Sequence, residues 1–208
     1  MSTIGFVHTV LSLPPTFAAL AEELVPGAEV FHIADETLLG ITRREGKLTP
    51  ATRRRVLGYV ESAADAGADV VVVTCSSIGP AVEASRGFVD VPVLRIDEPM
   101  ADEAVRIGSR IGVVATLATT LEPTAQLVEA RARATGKQVE VIPLLCEGAF
   151  GSDRHDELVR EGLARLYPDV DVIVLAQASM ARVVEDDPPV PVLSSPRLGM
   201  ERVKQLLA

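Results

Sequence analysis

Short β-branched runs alternate with helical stretches along the whole chain. The runs are Ile4–Val7, Glu29–Ile33, Val70–Thr74, Val91–Ile96, Ile111–Ala115, Val139–Leu144, Val172–Leu175 and Val190–Leu193. Several are apolar at every position, as strands covered on both faces are. Helices are predicted over Thr16–Leu24, Pro50–Ala66, Pro80–Ala84, Met100–Ser109, Pro123–Thr135, Asp156–Leu166 and Met200–Leu207. Pro15, Pro80 and Pro123 stand where helices would open, a place where a missing N–H costs nothing. Gly67 and Gly136 follow two of the helices as C-terminal stops. Strands alternating with helices predict an α/β fold built on parallel sheets with crossover helices.

The pattern repeats. Ile4-Gly5-Phe6-Val7-His8-Thr9 matches Ile111-Gly112-Val113-Val114-Ala115-Thr116 at an offset of 107, and Glu29-Val30 matches Glu140-Val141 at 111. Asp69 to Ser77 matches Asp171 to Ser179 at 102, and Val91-Pro-Val-Leu94 matches Val190-Pro-Val-Leu193 at 99. Apolar strands resemble one another, so each match is weak alone; their common order and nearly constant offset are not. The expectation is two pseudo-symmetric parallel-sheet α/β halves with an interdomain cleft: residues 1–98, completed by a C-terminal helix over 195–208, and residues 99–194.

Composition narrows the function. The 208 residues are 48% apolar and 24% charged, an ordinary globular balance able to bury a core. A net charge of −9, with no basic run to offset it, argues against nucleic acid and against an anionic membrane surface as partners. The amino terminus runs into a strand without a cationic leader, and no apolar stretch approaches the roughly 18 residues that span a bilayer. Two cysteines are too few for a disulfide scaffold, so a cytoplasmic protein with reduced thiols is expected.

Ligands of parallel α/β sheets bind beyond the carboxyl ends of the strands. Those ends carry His8-Thr9 and Thr74-Cys75-Ser76-Ser77 in the first half, and Thr116 to Thr120 and Gln177-Ala178-Ser179 in the second. Hydroxyls and helix-opening N–H groups suit a carboxylate. Cys75 is the sharpest candidate: a thiol just before a helix N-terminus is expected to have its pKa lowered, giving a thiolate base or nucleophile. The alternative is a buried structural cysteine. Cys146, after a strand in the second half, is a weaker candidate acid, with packing as the commoner role. His8 reads equally as an auxiliary hydrogen-bonding group or a structural residue, and His32 as a core residue. His155 reads as a cap or pairing partner. Asp35 and Glu36 read as an exposed loop pair, with cleft lining as the alternative. Arg53-Arg54-Arg55 reads as a solvated helix face. Three scattered histidines make no metal site, and the chain has no phosphate loop, dinucleotide fingerprint or Gly-x-Ser-x-Gly elbow.

A strand leading into Cys75-Ser76-Ser77, a Thr-rich loop after Ile111-Gly-Val-Val-Ala115, the Asp35-Glu36 pair, Asp97-Glu98-Pro99-Met100 and the repeat together resemble the aspartate/glutamate/hydantoin racemase superfamily. The resemblance spans nearly the whole chain. It implies a cofactor-independent isomerase, without metal, that forms homo-oligomers. In such enzymes one cysteine from each half serves opposite faces of a substrate α-carbon. Cys75 matches the first. The same resemblance implies that Ser76, Ser77, Thr116, Thr119, Thr120 and Ser179 hold a small carboxylate substrate, with His8 and Thr9 beside them. The second cysteine is replaced by Gln177, whose amide cannot exchange a proton with carbon at neutral pH but can donate hydrogen bonds. Two alternatives therefore stand beside a racemase: a one-cysteine decarboxylase-like lyase, and a non-catalytic binder of small carboxylates.

Overall fold

Val70–Val73 and Val172–Leu175 are buried at every position, because helices cover both faces of each strand. The computed structural model describes residues 1–184 and 186–208. The chain divides into two units, Met1–Ile96 with Pro196–Ala208, and Asp97–Ser195.

The first unit runs β1 (Thr3–His8), α1 (Pro14–Leu24), β2 (Glu29–Ala34), α2 (Glu36–Glu45), α3 (Pro50–Asp65), β3 (Val70–Val73), α4 (Gly79–Ser85) and β4 (Val93–Arg95). The second runs α5 (Glu98–Ile107), β5 (Arg110–Ala115), α6 (Ala118–Thr135), β6 (Glu140–Leu145), α7 (His155–Leu166), β7 (Val172–Leu175) and β8 (Val192–Ser194). The last helix, α8 (Ser195–Leu206), returns to the first unit. The sheets are wholly parallel, in the orders β2-β1-β3-β4 and β6-β5-β7-β8. The register reproduces the sequence offsets. Ile4 lies opposite Val30 and Val70, and Ile111 opposite Val141 and Val172, while Val71 pairs Val93 where Ile173 pairs Val192.

Side chains alternate between the two faces of a strand. In the first unit Ile4, Phe6, Val70 and Val72 meet Phe17 and Ala21 of α1 and Met200 and Val203 of α8. Val7, Val71 and Val73 meet Leu38 of α2, Val56, Val60 and Ala63 of α3, and Ala81 and Val82 of α4. In the second unit one face packs Val114, Ile173 and Leu175 on Val159, Leu163 and Leu166 of α7. Among the described residues, no helix is long and apolar enough to cross a membrane.

The strand expected over 190–193 pairs across Val192–Ser194 and the helix expected from Met200 begins at Ser195, and three further elements differ from the pattern-based expectation. The expected strand over 91–96 pairs only across Val93–Arg95. Pro123 does not open its helix: α6 begins at Ala118 after an extended Leu117, and Pro123 sits one turn inside. The helix forgoes one bond to the Thr119 carbonyl there and continues for three further turns. The Asp35-Glu36 pair is not a loop but the start of α2, which the pattern reading missed. Asp35 caps it, accepting from Thr37 N (3.0 Å) and Thr37 Oγ1 (2.6 Å), and Gly46 closes it in the left-handed region at φ 65°. Burial pushes the Asp35 carboxyl up, but Thr37, Tyr59 and Arg55 outweigh it and hold the pKa below its usual value. That engages Arg55, while Arg53 and Arg54 stay exposed.

Gly5 and Gly112 occupy equivalent positions on the two central strands, and a methyl group would meet different neighbours at each. At Gly5 it would lie 2.9 Å from the Phe31 ring tip and 3.0 and 3.3 Å from the Cβ atoms of Ala68 and Ala63, which cannot rotate away. At Gly112 the nearest atoms are a terminal methyl of Leu166 (3.1 Å) and the γ-methylene of Ile173 (3.2 Å). Gly5→Ala is expected to cost about 1–3 kcal/mol and Gly112→Ala less than half of that. Urea unfolding of the two variants tests this, and equal or reversed losses would show the packing account to be wrong.

Candidate active site

Two strand ends meet at the carboxyl edge of the first unit. Thr74 N–H donates to the Val7 carbonyl (3.0 Å), so His8-Thr9 and Thr74-Cys75 run side by side just past the paired residues. Cys75 is still extended (φ −127°, ψ 115°), so the alternation continues. His8 and Thr74 share one face of the sheet, and Thr9 and Cys75 point to the other.

Cys75 packs at the rim of the core under α3 and α4 and keeps part of its surface exposed. A short turn, Ser76–Ile78, then leads into α4. Burial raises the thiol pKa above its ordinary value; the Thr9 hydroxyl, the Ser77 and Ile78 N–H groups and the Ser77 hydroxyl all act in the opposite sense and do not cancel it. The expected lowering by a helix N-terminus is therefore reversed. The helix is only seven residues long and begins beyond the turn, so its dipole is small, and desolvation wins. At rest the sulfur is a thiol ringed by donors that favour its ionised form. Thr9 shows this most clearly. It is 1% exposed, and its hydroxyl has no hydrogen-bond partner of its own. A buried unmade bond costs about 1–3 kcal/mol, which a thiolate or a ligand oxygen would recover. Ser76 and Ser77 are buried beside it.

His8 lies beneath this site and does not open to it. Its ring is fully buried against Phe6 (centroids 5.7 Å apart) and Phe17 (5.7 Å). Nδ1 shares a hydrogen bond with Thr74 Oγ1 (2.8 Å) and Nε2 with His32 Nδ1 (2.9 Å), which leaves no ring nitrogen for a substrate. Burial, with His32 second, lowers the His8 pKa to about 4, and burial lowers that of His32. The sequence places Thr74 at a strand end and His32 in the core but gives neither a role at the site, and it gives Arg95 none. Arg95, 2% exposed at the end of β4, lays its guanidinium over Gly79 and pairs with Glu83. A cation in a strand pattern reads as an exposed edge, and nothing local marked this one as buried.

The second unit repeats the layout with other chemistry. Gln177, in the place of Cys75, accepts through Oε1 from Thr116 N (2.6 Å) and Thr116 Oγ1 (2.9 Å). The Thr116 N–H can only donate, so Oε1 is the atom facing it and the amide N–H groups point away. Thr119 and Thr120 sit on the first turn of α6, where no side chain caps the helix; the Thr119 hydroxyl is buried without a partner. Ser179 is exposed on the turn Ala178–Val183. Cys146 is a core residue and not a presented thiol. It is 6% exposed among Val159 and Leu163, and a methyl group on Gly162 would come within 2.6 Å of its sulfur. Burial raises its pKa, and Arg165 lowers it less. His155 opens α7 and bonds Asp156 (2.7 Å), which also pairs Arg182 (2.7 Å). No group of three or more His, Cys, Asp or Glu able to hold a metal occurs among the described residues.

The family model described as Asp/Glu/Hydantoin racemase matches residues 13–203. No curated protein sequence matches the chain. Among solved structures, the chain is similar to an allantoin racemase from Klebsiella pneumoniae (21% identity, TM-score 0.72, 100% of this chain and 88% of that one). It is also similar to a glutamate racemase from Aquifex pyrophilus (17%, TM-score 0.70, 99% and 84%) and to an aspartate racemase from Picrophilus torridus (10%, TM-score 0.69, 99% and 95%). At these identities the likeness is one of fold.

The buried histidine carries a pH dependence. A group whose pKa falls from 6.5 to about 4 on folding stabilises the native state fully above pH 6.5 and loses that contribution as pH falls toward about 4. The stability of wild type relative to His8→Phe should therefore drop by on the order of 3 kcal/mol across that window. Urea unfolding of both proteins near either end of the window measures it, and parallel pH curves would show that the ring does not titrate as described.

Proposed function

We propose that this chain, which belongs to the Asp/Glu/hydantoin racemase family, moves a proton at the carbon α to the carboxylate of a small amino acid or related acid, with the Cys75 sulfur as its acid–base group. The observation that carries this reading is the set of donors converging on a thiol whose pKa is raised. An α-proton beside a carboxylate is very weakly acidic, so a more basic thiolate faces a smaller uphill transfer. As the S–H bond forms and the C–H bond breaks, the electron pair passes into the carboxylate as an enediolate. Fixed N–H and O–H donors stabilise that charge without reorganising. Return of a proton from the same sulfur regenerates the substrate with its α-proton exchanged, inversion requires delivery of a proton to the opposite face, and no cofactor enters the scheme.

The carboxylate is assigned to hydroxyls and N–H groups. Ser76, Ser77 and Thr9 serve in the Cys75 turn; Thr116, Thr119, Thr120 and Ser179 are the corresponding candidates in the second unit. His8 is left out of the substrate contacts because both its nitrogens are engaged, and Cys146 is left out of the acid–base chemistry because it is packed in the core.

Gln177 favours a second reading. Its carbonyl is committed to Thr116, and its amide offers only hydrogen bonds where a second thiol would exchange a proton. A single thiol protonating one face of an enediolate is lyase chemistry of the decarboxylase kind, with loss of CO₂ generating the intermediate.

Proton NMR in D₂O with amino acids, hydantoins and 2-substituted malonates separates the outcomes. Wild type should wash out an α-proton signal that Cys75→Ala leaves intact. Loss of optical activity in the same samples selects racemisation, and release of CO₂ from a malonate selects the lyase. Ligand binding with no exchange by wild type would overturn both and leave a carboxylate-binding protein.

A further inference from the structure

The two strand ends at the first unit's carboxyl edge are bonded through side chains on one face of the sheet and only face each other on the other. On the α3 and α4 side the Thr9 hydroxyl makes no hydrogen bond, but it stands near enough to the Cys75 thiol to favour its ionised form. On the α1 and α8 side His8 Nδ1 bonds Thr74 Oγ1, and His8 Nε2 carries the connection on to His32 of β2. His8 and Thr9 are consecutive, and so are Thr74 and Cys75. One junction is therefore a single backbone step from the other.

The second unit supplies the comparison. At the same register Thr9 corresponds to Thr116 and Cys75 to Gln177, but His8 corresponds to Ala115, Thr74 to Ala176 and His32 to Pro143. Ala115 and Ala176 are buried and carry no polar side chain to join. In that half Gln177 makes two strong bonds to Thr116, at 2.6 and 2.9 Å, so the junction holds itself. A thiol is a weak hydrogen-bonding group and cannot do the same. The polar cross-link beneath occurs in the half whose upper junction is weak.

We propose that His8 and His32 are positioning residues for Cys75: by bonding Thr74 they fix the register of the two strand ends and so hold the Thr9 hydroxyl against the sulfur of the next residue. Neither ring touches substrate. Each neutral ring donates from one nitrogen and accepts at the other, so the Thr74–His8–His32 chain is satisfied without any charge. The groups around it are Phe6 of β1, Phe17 of α1 and Thr74 after β3. Among the described residues, His32 is the one ionisable group whose charge acts on His8, and burial is what acts on His32. The inference rests on the reading of Cys75 as the reacting thiol.

The test reads the sulfur itself and needs no substrate, so it succeeds or fails independently of turnover. The alkylation rate of Cys75 by iodoacetamide is followed against pH, by mass spectrometry of the peptide that carries it. The Asn side chain places a polar atom where Nδ1 was, and the Gln side chain places one where Nε2 was. His8→Asn, which keeps the bond to Thr74 and loses the one to His32, should shift the midpoint no further than His32→Phe does. His8→Gln and His8→Phe should move its midpoint upward by about half a pH unit or more, which is about a threefold slower reaction near neutrality. His32→Phe, at a partly exposed position that tolerates a ring, should shift it in the same direction and by less. Unshifted profiles in folded His8→Phe and His32→Phe would overturn the proposal, as would His8→Asn shifting as far as His8→Phe. If His8→Phe does not fold, His32→Phe decides.

Discussion

Desolvation of one sulfur sets the terms for the rest of the first unit. A thiol held at the end of a fully buried strand has little water to stabilise its anion, so every group that favours the thiolate has to be supplied by the chain. Parallel pairing supplies the place: β1 and β3 end together, which brings Thr9 beside Cys75, and the turn after β3 aims the Ser77 and Ile78 N–H groups back at the sulfur. Those donors are fixed before any charge appears. A neutral thiol at rest with an ionised form already provided for is what a group that alternates between acid and base requires.

The two units show how much of this belongs to the scaffold and how much to particular residues. Strand order and register are the same in both sheets, down to a glycine at the second paired position of each central strand. What differs is the chemistry hung on the strand ends. Gln177 puts an amide in the place of a thiol and ties its own turn to Thr116. Cys75 keeps a thiol and gives up that tie. The histidine pair beneath it is polar structure placed in a buried aromatic setting, which a fold alone has no need of.

Much of this was legible in the sequence because it follows from periodicity. The strand runs, the four repeat offsets and the positions of Cys75, Thr9 and Gln177 at strand ends all come from patterns of period two and from turn residues, and the register reproduces them. The capping signal of the helix after Asp35, Asp35 with Thr37 and a closing Gly46, reads in sequence as a loop. Pro123 reads as a helix start because the rule for proline is strong and the five residues before it carry no comparable signal. The direction of the Cys75 pKa depends on burial against donors, a balance that no local pattern encodes. The role of His32 depends on a neighbouring strand 24 residues away in sequence. Cys146 shared the strand-end position of a site residue, and only packing against Gly162 shows that it points into the core.

The claim that Cys75 is the base, working from a raised pKa, is tested most directly by the pH dependence of α-proton exchange. The measurement uses one substrate that the wild-type protein exchanges, under saturation, from about pH 6 to about pH 10. The account predicts a rate that climbs with pH past the ordinary thiol range before levelling, because the base is absent until the sulfur ionises. A rate already maximal near neutrality and flat or falling above it would mean that a different group takes the proton.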